Sequence, residues 1–258
     1  MTGSEASPPF RLAYVPGVTP AKWVRIWKER RPDVPLVLLP VPAAEASDVL
    51  RRGEADAGLV RLPVDRTVLS AIPLYTEATV VVAPKDHVVT VAEEVSLDEL
   101  AGEVVLHPLD DVLDWEQPPG EPAFERPATT EDAVEHVASG IGILYVPQSL
   151  ARLHHRKDLT YRTVVDAPRS DVALSWPEDA TTDLVEDFIG IVRGRTVNST
   201  RGRTQAPAEP QTKAKAKRTE TPARRKPATG KTTGRTGKNP RGSSGGAKGT
   251  KRGKPRGR

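Results

Sequence analysis

The sequence contains no cysteine, and aromatic residues make up only 4% of its 258 residues. The absence of cysteine excludes disulfide bonds, thiolate metal ligands and cysteine nucleophiles. No hydrophobic run approaches the roughly 20 apolar residues of a membrane-spanning helix, and residues 1–9 contain no apolar signal core. We therefore expect a cytoplasmic protein without membrane contacts, with association with the nucleoid left open.

Sequence motifs of common enzymes are also missing. There is no nucleophile elbow, no glycine-rich phosphate loop and no metal-ligand spacing. His154 and His155 are adjacent, and neighbouring helical residues point about 100° apart, so the two rings do not converge on one ion. The acidic residues between positions 110 and 121 lack the alternation and the glycine of a calcium loop. We expect neither catalysis nor a metal nor a cofactor.

Charge is distributed unevenly along the chain. Residues 201–258 hold nineteen Lys and Arg but only two Asp and Glu, a formal charge of about +17, which leaves about −13 on residues 1–200. The basic segment also lacks Val, Ile, Leu, Met, Phe, Tyr and Trp. It therefore cannot bury enough apolar surface to offset its conformational entropy. We predict a folded body over residues 10–198 and a disordered tail over residues 199–258.

Within the body, short apolar runs typical of strands alternate with amphipathic segments typical of helices. This order predicts an α/β fold with mainly parallel sheet. Thr19, Thr130 and Thr182 precede helical patterns and are predicted to be N-caps, with Pro20 at a first helical position. Gly53 suits the position that follows a helix. The region 110–127 is rich in proline and acidic residues and is predicted to be a loop.

Five stretches along the body resemble, in order and spacing, the effector-binding domain of LysR-type transcription regulators, a branch of the type-2 periplasmic-binding-protein superfamily. The stretches are residues 10–17 (FRLAYVPG), 50–60 (LRRGEADAGLV), 72–87 (IPLY followed by VVVAPKDH), 96–102 (SLDELAG) and 137–147 (VASGIGILYVP). The resemblance spans residues 10 to about 195. Regulators of this family carry a winged helix-turn-helix domain and a linker helix before this domain, whereas nine residues precede the first predicted strand here. We therefore expect no sequence-specific DNA reader in these residues.

The resemblance implies two Rossmann-like lobes joined by two crossover strands, with a ligand cleft between them. Lobe one would comprise about residues 10–83 and 177–198, and lobe two about residues 84–176. In such folds a ligand lies at the carboxyl ends of the strands. Trp23 and Trp27 lie on one face of the first helix. They would pack within the chain or, as the resemblance implies, against a lobe-two helix in a homodimer.

Several residues are predicted to bind a small anionic organic ligand in that cleft. Residues 17–19 join the first strand to the first helix, and residues 129 and 130 open a helix of the other lobe, so that backbone N–H groups at two helix starts would attract a carboxylate. Arg61 ends a strand and is predicted to pair with the anion, and His107 ends a lobe-two strand. Each position also has a purely structural interpretation, such as helix capping. The candidate ligand-binding residues are Gly17, Val18, Thr19, Arg61, His107, Thr129 and Thr130.

The tail has no aromatic residue, which excludes stacking on bases and leaves sequence-independent, salt-sensitive contacts with phosphates. Its last five residues, KPRGR, resemble the core of an AT-hook, a short arm of the A·T-rich minor groove. The predicted nucleic-acid contacts are Lys251, Arg252, Lys254, Arg256 and Arg258. We expect a non-enzymatic effector-binding module in transcription regulation; the alternatives are an enzyme on the same fold and a nucleoid-associated protein with a dimerising body. A tail that only improves solubility is also an open interpretation.

Overall fold

A computed structural model of the chain describes residues 8–195, and the predicted α/β fold is confirmed. The five α-helices of these residues are α1 (Ala21–Arg30), α2 (Ala46–Arg51), α3 (Thr130–Ala138), α4 (Gln148–Leu153) and α5 (Asp183–Val192). The strands are β1 (Phe10–Tyr14), β2 (Leu36–Pro40), β3 (Ala57–Arg61), β4 (Leu69–Glu77), β5 (Thr79–Pro84), β6 (Glu94–Val95), β7 (Val104–Leu106), β8 (Glu121–Pro122), β9 (Ile143–Pro147), β10 (Leu159–Val164) and β11 (Ser170–Pro177). Short 3-10 helices lie at Ala43–Glu45, Val88–Val91, Asp98–Leu100 and Glu178–Ala180. Every helix in residues 8–195 falls short of the length and apolar character that a membrane span requires.

The strands form two sheets, one in each lobe. The first has the order β2-β1-β3-β11-β4 and the second the order β6-β10-β5-β9-β7-β8. Both sheets are mixed, which differs from the mainly parallel arrangement that the sequence predicts. Strand β11 runs antiparallel to β3 and β4, and β5 runs antiparallel to β9 and β10. The antiparallel pairs arise because these strands carry the chain between the lobes and back.

The chain crosses between the lobes twice. It leaves the first sheet at the end of β4 and enters the second at β5, and it returns between β10 and β11. The predicted boundaries at about residues 83 and 177 therefore assign β5 and β11 to the wrong lobes, although two crossovers are present as expected. The Thr79 hydroxyl donates to the Pro168 carbonyl oxygen and ties the two crossings together.

An aromatic stack lies at the centre of lobe one. The rings of Phe10 and Trp27 are stacked with centroids 4.6 Å apart, and Phe188 of α5 packs against both. The Trp27 indole N–H donates to the Val34 carbonyl oxygen over 2.9 Å, so its polar atom is paired although the side chain is fully buried. Helix α5, the last element of the described chain, is thereby attached to lobe one, as predicted.

The second sheet is buried on both faces. Alternate residues of β5 and β9 contribute to two separate apolar clusters, with Val80 and Leu144 in one and Val81 and Ile143 in the other. Helices α3 and α4 cover the first cluster, and the 3-10 segments between residues 88 and 100 cover the second. The apolar runs of these strands, which lack polar alternation, follow from this two-sided burial.

Candidate functional site

A cavity of about 1140 Å³ lies between the lobes and is lined by residues from both. Six of the seven predicted ligand-binding residues lie on its wall: Gly17, Val18, Thr19, Arg61, Thr129 and Thr130. The lobe-one wall continues through the apolar residues 40–44, and the lobe-two wall through residues 109–112, 149, 150 and 152–154. The volume is slightly above the roughly 300–1,000 Å³ of typical ligand pockets, which leaves room for a small organic molecule.

The loop after β1 is a tight turn that requires glycine. The Val18 N–H donates to the Val15 carbonyl oxygen, and Gly17 has a φ of 84°, so the turn has Pro16 and Gly17 at its centre as in a type II turn. A Cβ on Gly17 would also collide with the hydroxyl of Ser149 in lobe two. The glycine therefore serves both the backbone conformation and the close approach of the other lobe.

Helix α1 begins one residue later than the sequence predicts. Pro20 rather than Thr19 occupies its N-cap position, and no side chain caps the helix. The Pro20 carbonyl accepts hydrogen bonds from the N–H groups of Trp23 and Val24, which leaves Thr19 just outside the helix on the cavity wall. The first turn contains no acidic residue. This helix end therefore carries an uncompensated positive partial charge next to Thr19.

The start of α3 differs from that of α1. Thr129 is the N-cap, and its hydroxyl oxygen accepts from the Asp132 N–H over 3.1 Å, so the prediction that Thr130 caps this helix is wrong by one residue. Thr130 is the first helical residue, is buried, and donates its hydroxyl to Asp110 Oδ1 over 2.9 Å. Glu131 and Asp132 lie in the first turn. Three carboxylates thus already meet the positive end of this helix.

Arg61 is bound inside the protein. Its Nη1 donates to Glu77 Oε2 over 2.8 Å and to Ser170 Oγ over 2.7 Å. Its Nη2 donates to the Pro16 carbonyl oxygen over 3.2 Å and to Ser149 Oγ over 3.1 Å. Only 6% of its side chain is exposed. Both terminal nitrogens donate hydrogen bonds within the protein, and Glu77 balances the positive charge. The guanidinium is therefore not an unpaired cation at the cavity, in contrast to the role that the sequence predicts.

His107 lies outside the cavity wall, in contrast to the prediction. Its Nε2 lies 3.3 Å from Asp111 Oδ2, and its carbonyl oxygen accepts from Arg126 Nε over 2.8 Å. Burial lowers the pKa of the imidazole and the nearby Arg126 lowers it further, against the opposing effect of Asp111. This arrangement supports the loop that carries Asp110 and Asp111.

Sequence reasoning missed two acidic residues of the lobe-two wall. Asp110 and Asp111 line the cavity, whereas the sequence suggests only a solvated acidic loop. Asp111 is held by the N–H of Leu113 and by the indole N–H of Trp115. A signal was available, because the loop follows the strand β7 at the carboxyl edge of the sheet, where ligand sites of such folds lie. The predicted nucleic-acid contacts, residues 251–258, lie outside the described residues.

Comparisons with known proteins agree with this architecture. A family profile described as the LysR substrate binding domain matches residues 4–196. The HTH-type transcriptional regulator AlsR of Bacillus subtilis (strain 168) is 24% identical over 180 residues, which are 65% of this chain and 59% of AlsR. A probable hydrogen peroxide-inducible genes activator of Mycobacterium avium is 32% identical over 152 residues, which are 54% of this chain and 49% of that protein. The chain thus spans about half to six tenths of the length of these relatives.

A solved structure shows the same fold. The BenM effector binding domain with its effector benzoate superposes with a TM-score of 0.60 at 18% sequence identity, over 73% of this chain and 92% of that chain. Both sheets and the cavity between them belong to the segment that the family profile matches. The chain belongs to the LysR substrate-binding domain family.

Proposed function

We propose that the body binds a small organic acid in the cavity between its lobes and acts as an effector sensor in transcription regulation. The observation that carries this proposal is the 1140 Å³ cavity with the turn at Gly17 and the uncapped start of α1 at one end. The relatives support it, since AlsR is named a transcriptional regulator and the BenM domain holds its effector benzoate.

The two helix starts at the cavity suggest where the acid group lies. The start of α3 faces Asp110, Glu131 and Asp132, which would repel a second anion. The start of α1 has no acidic residue and no side-chain cap, so its N–H groups and the Thr19 hydroxyl remain suited to a carboxylate. We therefore place the carboxylate of the ligand at Thr19, with Thr130 nearer to a neutral or hydrogen-donating part of the ligand.

Native mass spectrometry of the gently purified full chain tests the proposal by detecting a copurified organic acid. Benzoate then serves as a defined probe in calorimetric titrations of the full chain and of Thr19→Val, Thr130→Val and a control, Thr163→Val, whose residue lies in β10 and outside the cavity wall. We expect Thr19→Val to weaken binding by about 1–3 kcal/mol, the cost of an unmade hydrogen bond. Unchanged affinity in both Thr19→Val and Thr130→Val contradicts the assignment.

We further propose that the tail, rather than the body, provides affinity for DNA. The body carries about −13 and the tail about +17, so phosphates would be repelled by the first and attracted by the second. Each neutralised phosphate releases condensed counterions, and log K should fall with log salt with a slope of about −0.9 per phosphate. Selectivity should be limited to a mild preference for A·T-rich duplexes, from the AT-hook-like residues 254–258.

Binding titrations of the full chain and of a chain ending at Thr200 separate the two regions. Mixed-sequence and A·T-rich duplexes are compared at several salt concentrations. We expect the truncated chain to lose DNA binding while retaining its response to benzoate. Equal DNA affinity of the two chains would show that the tail proposal is wrong, and tight selection of one operator at high salt would place a DNA reader in the body.

A further inference from the structure

Four side chains from four elements meet beside the cavity, and two of them, Arg61 and Ser149, line it. Arg61 ends β3 in lobe one, Glu77 ends β4 at the first crossing, Ser170 begins β11 at the second crossing, and Ser149 lies in the first turn of α4 in lobe two. We call them the interlobe cluster. The side chains of Arg61 and Glu77 are 6% and 9% exposed, so the ion pair is shielded from solvent. A buried pair of this kind is stable only while its remaining hydrogen bonds are satisfied.

Ser149 is the member of the cluster that lobe two contributes. Its hydroxyl oxygen accepts from Arg61 Nη2 over 3.1 Å, and its O–H donates to Glu77 Oε2 over 2.8 Å. The other bonds, from Arg61 to Glu77 and to Ser170, stay within the first sheet and its ends. Loss of the Ser149 hydroxyl would therefore remove both side-chain bonds between α4 and the Arg61–Glu77 pair. The backbone bond from the Gln148 N–H to the Ala78 carbonyl oxygen would remain.

The same cluster positions the turn that lines the cavity. Arg61 Nη2 donates to the carbonyl oxygen of Pro16, and a Cβ at Gly17 would lie 3.2 Å from that nitrogen and collide with the Ser149 oxygen. The turn of lobe one and the first turn of α4 thus contact each other with no space between them. A displacement of Ser149 would free one side of this turn.

We propose that Ser149 is an interlobe latch, a positioning residue that sets the width of the cavity by joining α4 to the Arg61–Glu77 pair. In this arrangement Arg61 provides a fixed anchor for the latch and is not a partner of the ligand. The consequence for ligand binding rests on the proposed function of the cavity. The latch itself is a property of the free protein and is measured without any ligand.

The experiment measures the distance between the lobes by pulsed electron paramagnetic resonance. The chain has no native cysteine, so spin labels attach only at introduced sites, Glu45→Cys beside the lobe-one wall and Glu131→Cys on the lobe-two wall. This labelled full chain is compared with the same chain carrying Ser149→Ala and with a control carrying Ser139→Ala, whose serine lies at the far end of α3. Thermal unfolding and circular dichroism are recorded for each.

We expect Ser149→Ala to move the distance distribution to longer values and to broaden it, with the control unchanged. Ser149→Thr, which keeps the hydroxyl, should restore more of the narrow distribution than Ser149→Ala. Identical distributions in all chains would overturn the latch. An unfolded Ser149→Ala chain would also overturn it, because a latch requires lobes that fold without it. Since no ligand is added and all chains are compared with one another, a failure of the ligand proposal leaves this result interpretable.

Discussion

The two lobes contain sheets of similar size but are packed by different means. In lobe one, α-helices cover the sheet, and the aromatic stack of Phe10, Trp27 and Phe188 belongs to one continuous core. In lobe two, the sheet separates two apolar clusters, and one of them is covered by 3-10 segments and a loop instead of α-helices. Similar apolar patterns in the strands of the two sheets therefore do not determine whether α-helices or 3-10 segments and loops cover each sheet.

The two lobes also differ in the groups that they place on the cavity wall. Lobe one offers a bare helix start, a glycine turn and the apolar residues 40–44. Lobe two offers a capped helix start surrounded by carboxylates, together with Arg152 and His154. The polar groups of the two walls therefore differ in kind, with a bare helix start on one side and charged side chains of both signs on the other.

The largest expected effect is in the core of lobe one. Trp27→Ala removes the centre of the aromatic stack and should destabilise the fold by about 3–5 kcal/mol. Denaturant unfolding with hydrogen exchange on both sheets measures it, and protection should fall more in β1 and β3 than in β5 and β9. Trp23→Ala, at a half-buried position of the same helix, is the control and should cost less. Equal loss of protection in both sheets would contradict the conclusion that the aromatic stack stabilises lobe one in particular.

A smaller effect distinguishes the two helix starts. Thr129→Ala removes the cap of α3 and should lower the free energy of unfolding by about 1 kcal/mol. Thr19→Ala is the matched control, because no side chain caps α1, and its stability should be unchanged within error. Equal losses would mean that Thr19 stabilises its helix after all. Urea titrations of the three chains provide the measurement.

A gain in stability is expected from Tyr145→Phe in β9. Within residues 8–195 the Tyr145 hydroxyl is buried without a hydrogen-bond partner, and burial raises the pKa of the phenol. Removing the oxygen should stabilise lobe two by about 1 kcal/mol, since an unpaired buried polar group is costly. Tyr161→Phe is the control, because its hydroxyl accepts from Arg152 Nε. A loss of stability in Tyr145→Phe would reveal a partner for the hydroxyl.

The smallest effect concerns pH. Because burial lowers the pKa of His107 below its ordinary value of 6.5, the unfolded chain binds a proton more readily than the folded one. The stability contributed by neutral His107 is therefore present above pH 6.5 and is lost as pH falls below it towards the folded pKa. His107→Gln should flatten this part of the curve of unfolding free energy against pH. If the curves of the two chains stay parallel from about pH 5 to about pH 8, the pKa of His107 is not lowered in the folded chain.

Local patterns predicted the elements well. Apolar runs located the longer strands, Gly53 ended α2 with a φ of 66°, and Thr182 capped α5 by accepting from the Val185 N–H. The two-residue strands β6 and β8 were not predicted, and β8 lies in the region 110–127 that was predicted to be a loop. The caps of α1 and α3 were each displaced by one residue. At Thr129-Thr130 either hydroxyl could cap the helix and tertiary contacts decide between them, whereas at Thr19-Pro20 the helix begins after the proline without a side-chain cap. The Thr130 hydroxyl, for example, is occupied by Asp110.

The role of Arg61 could not be predicted from the sequence. Its partners Glu77, Ser149 and Ser170 lie 16, 88 and 109 positions away, and no local pattern indicates that they converge. The position of Arg61 at the carboxyl end of β3 was predicted correctly, and its proximity to the cavity followed from that. Which groups the Arg61 guanidinium pairs with depends on where the two crossings meet, and only the folded chain determines that position.

The position of β11 between β3 and β4 has a consequence for synthesis on the ribosome. About ninety residues separate the end of β4 from the start of β11, so the facing edges of β3 and β4 emerge from the exit tunnel long before the strand that joins them. At about 5–20 residues per second this interval lasts roughly 5–20 s. The nascent chain must keep two open strand edges apart during that time. The lobe that is translated first is thus completed last.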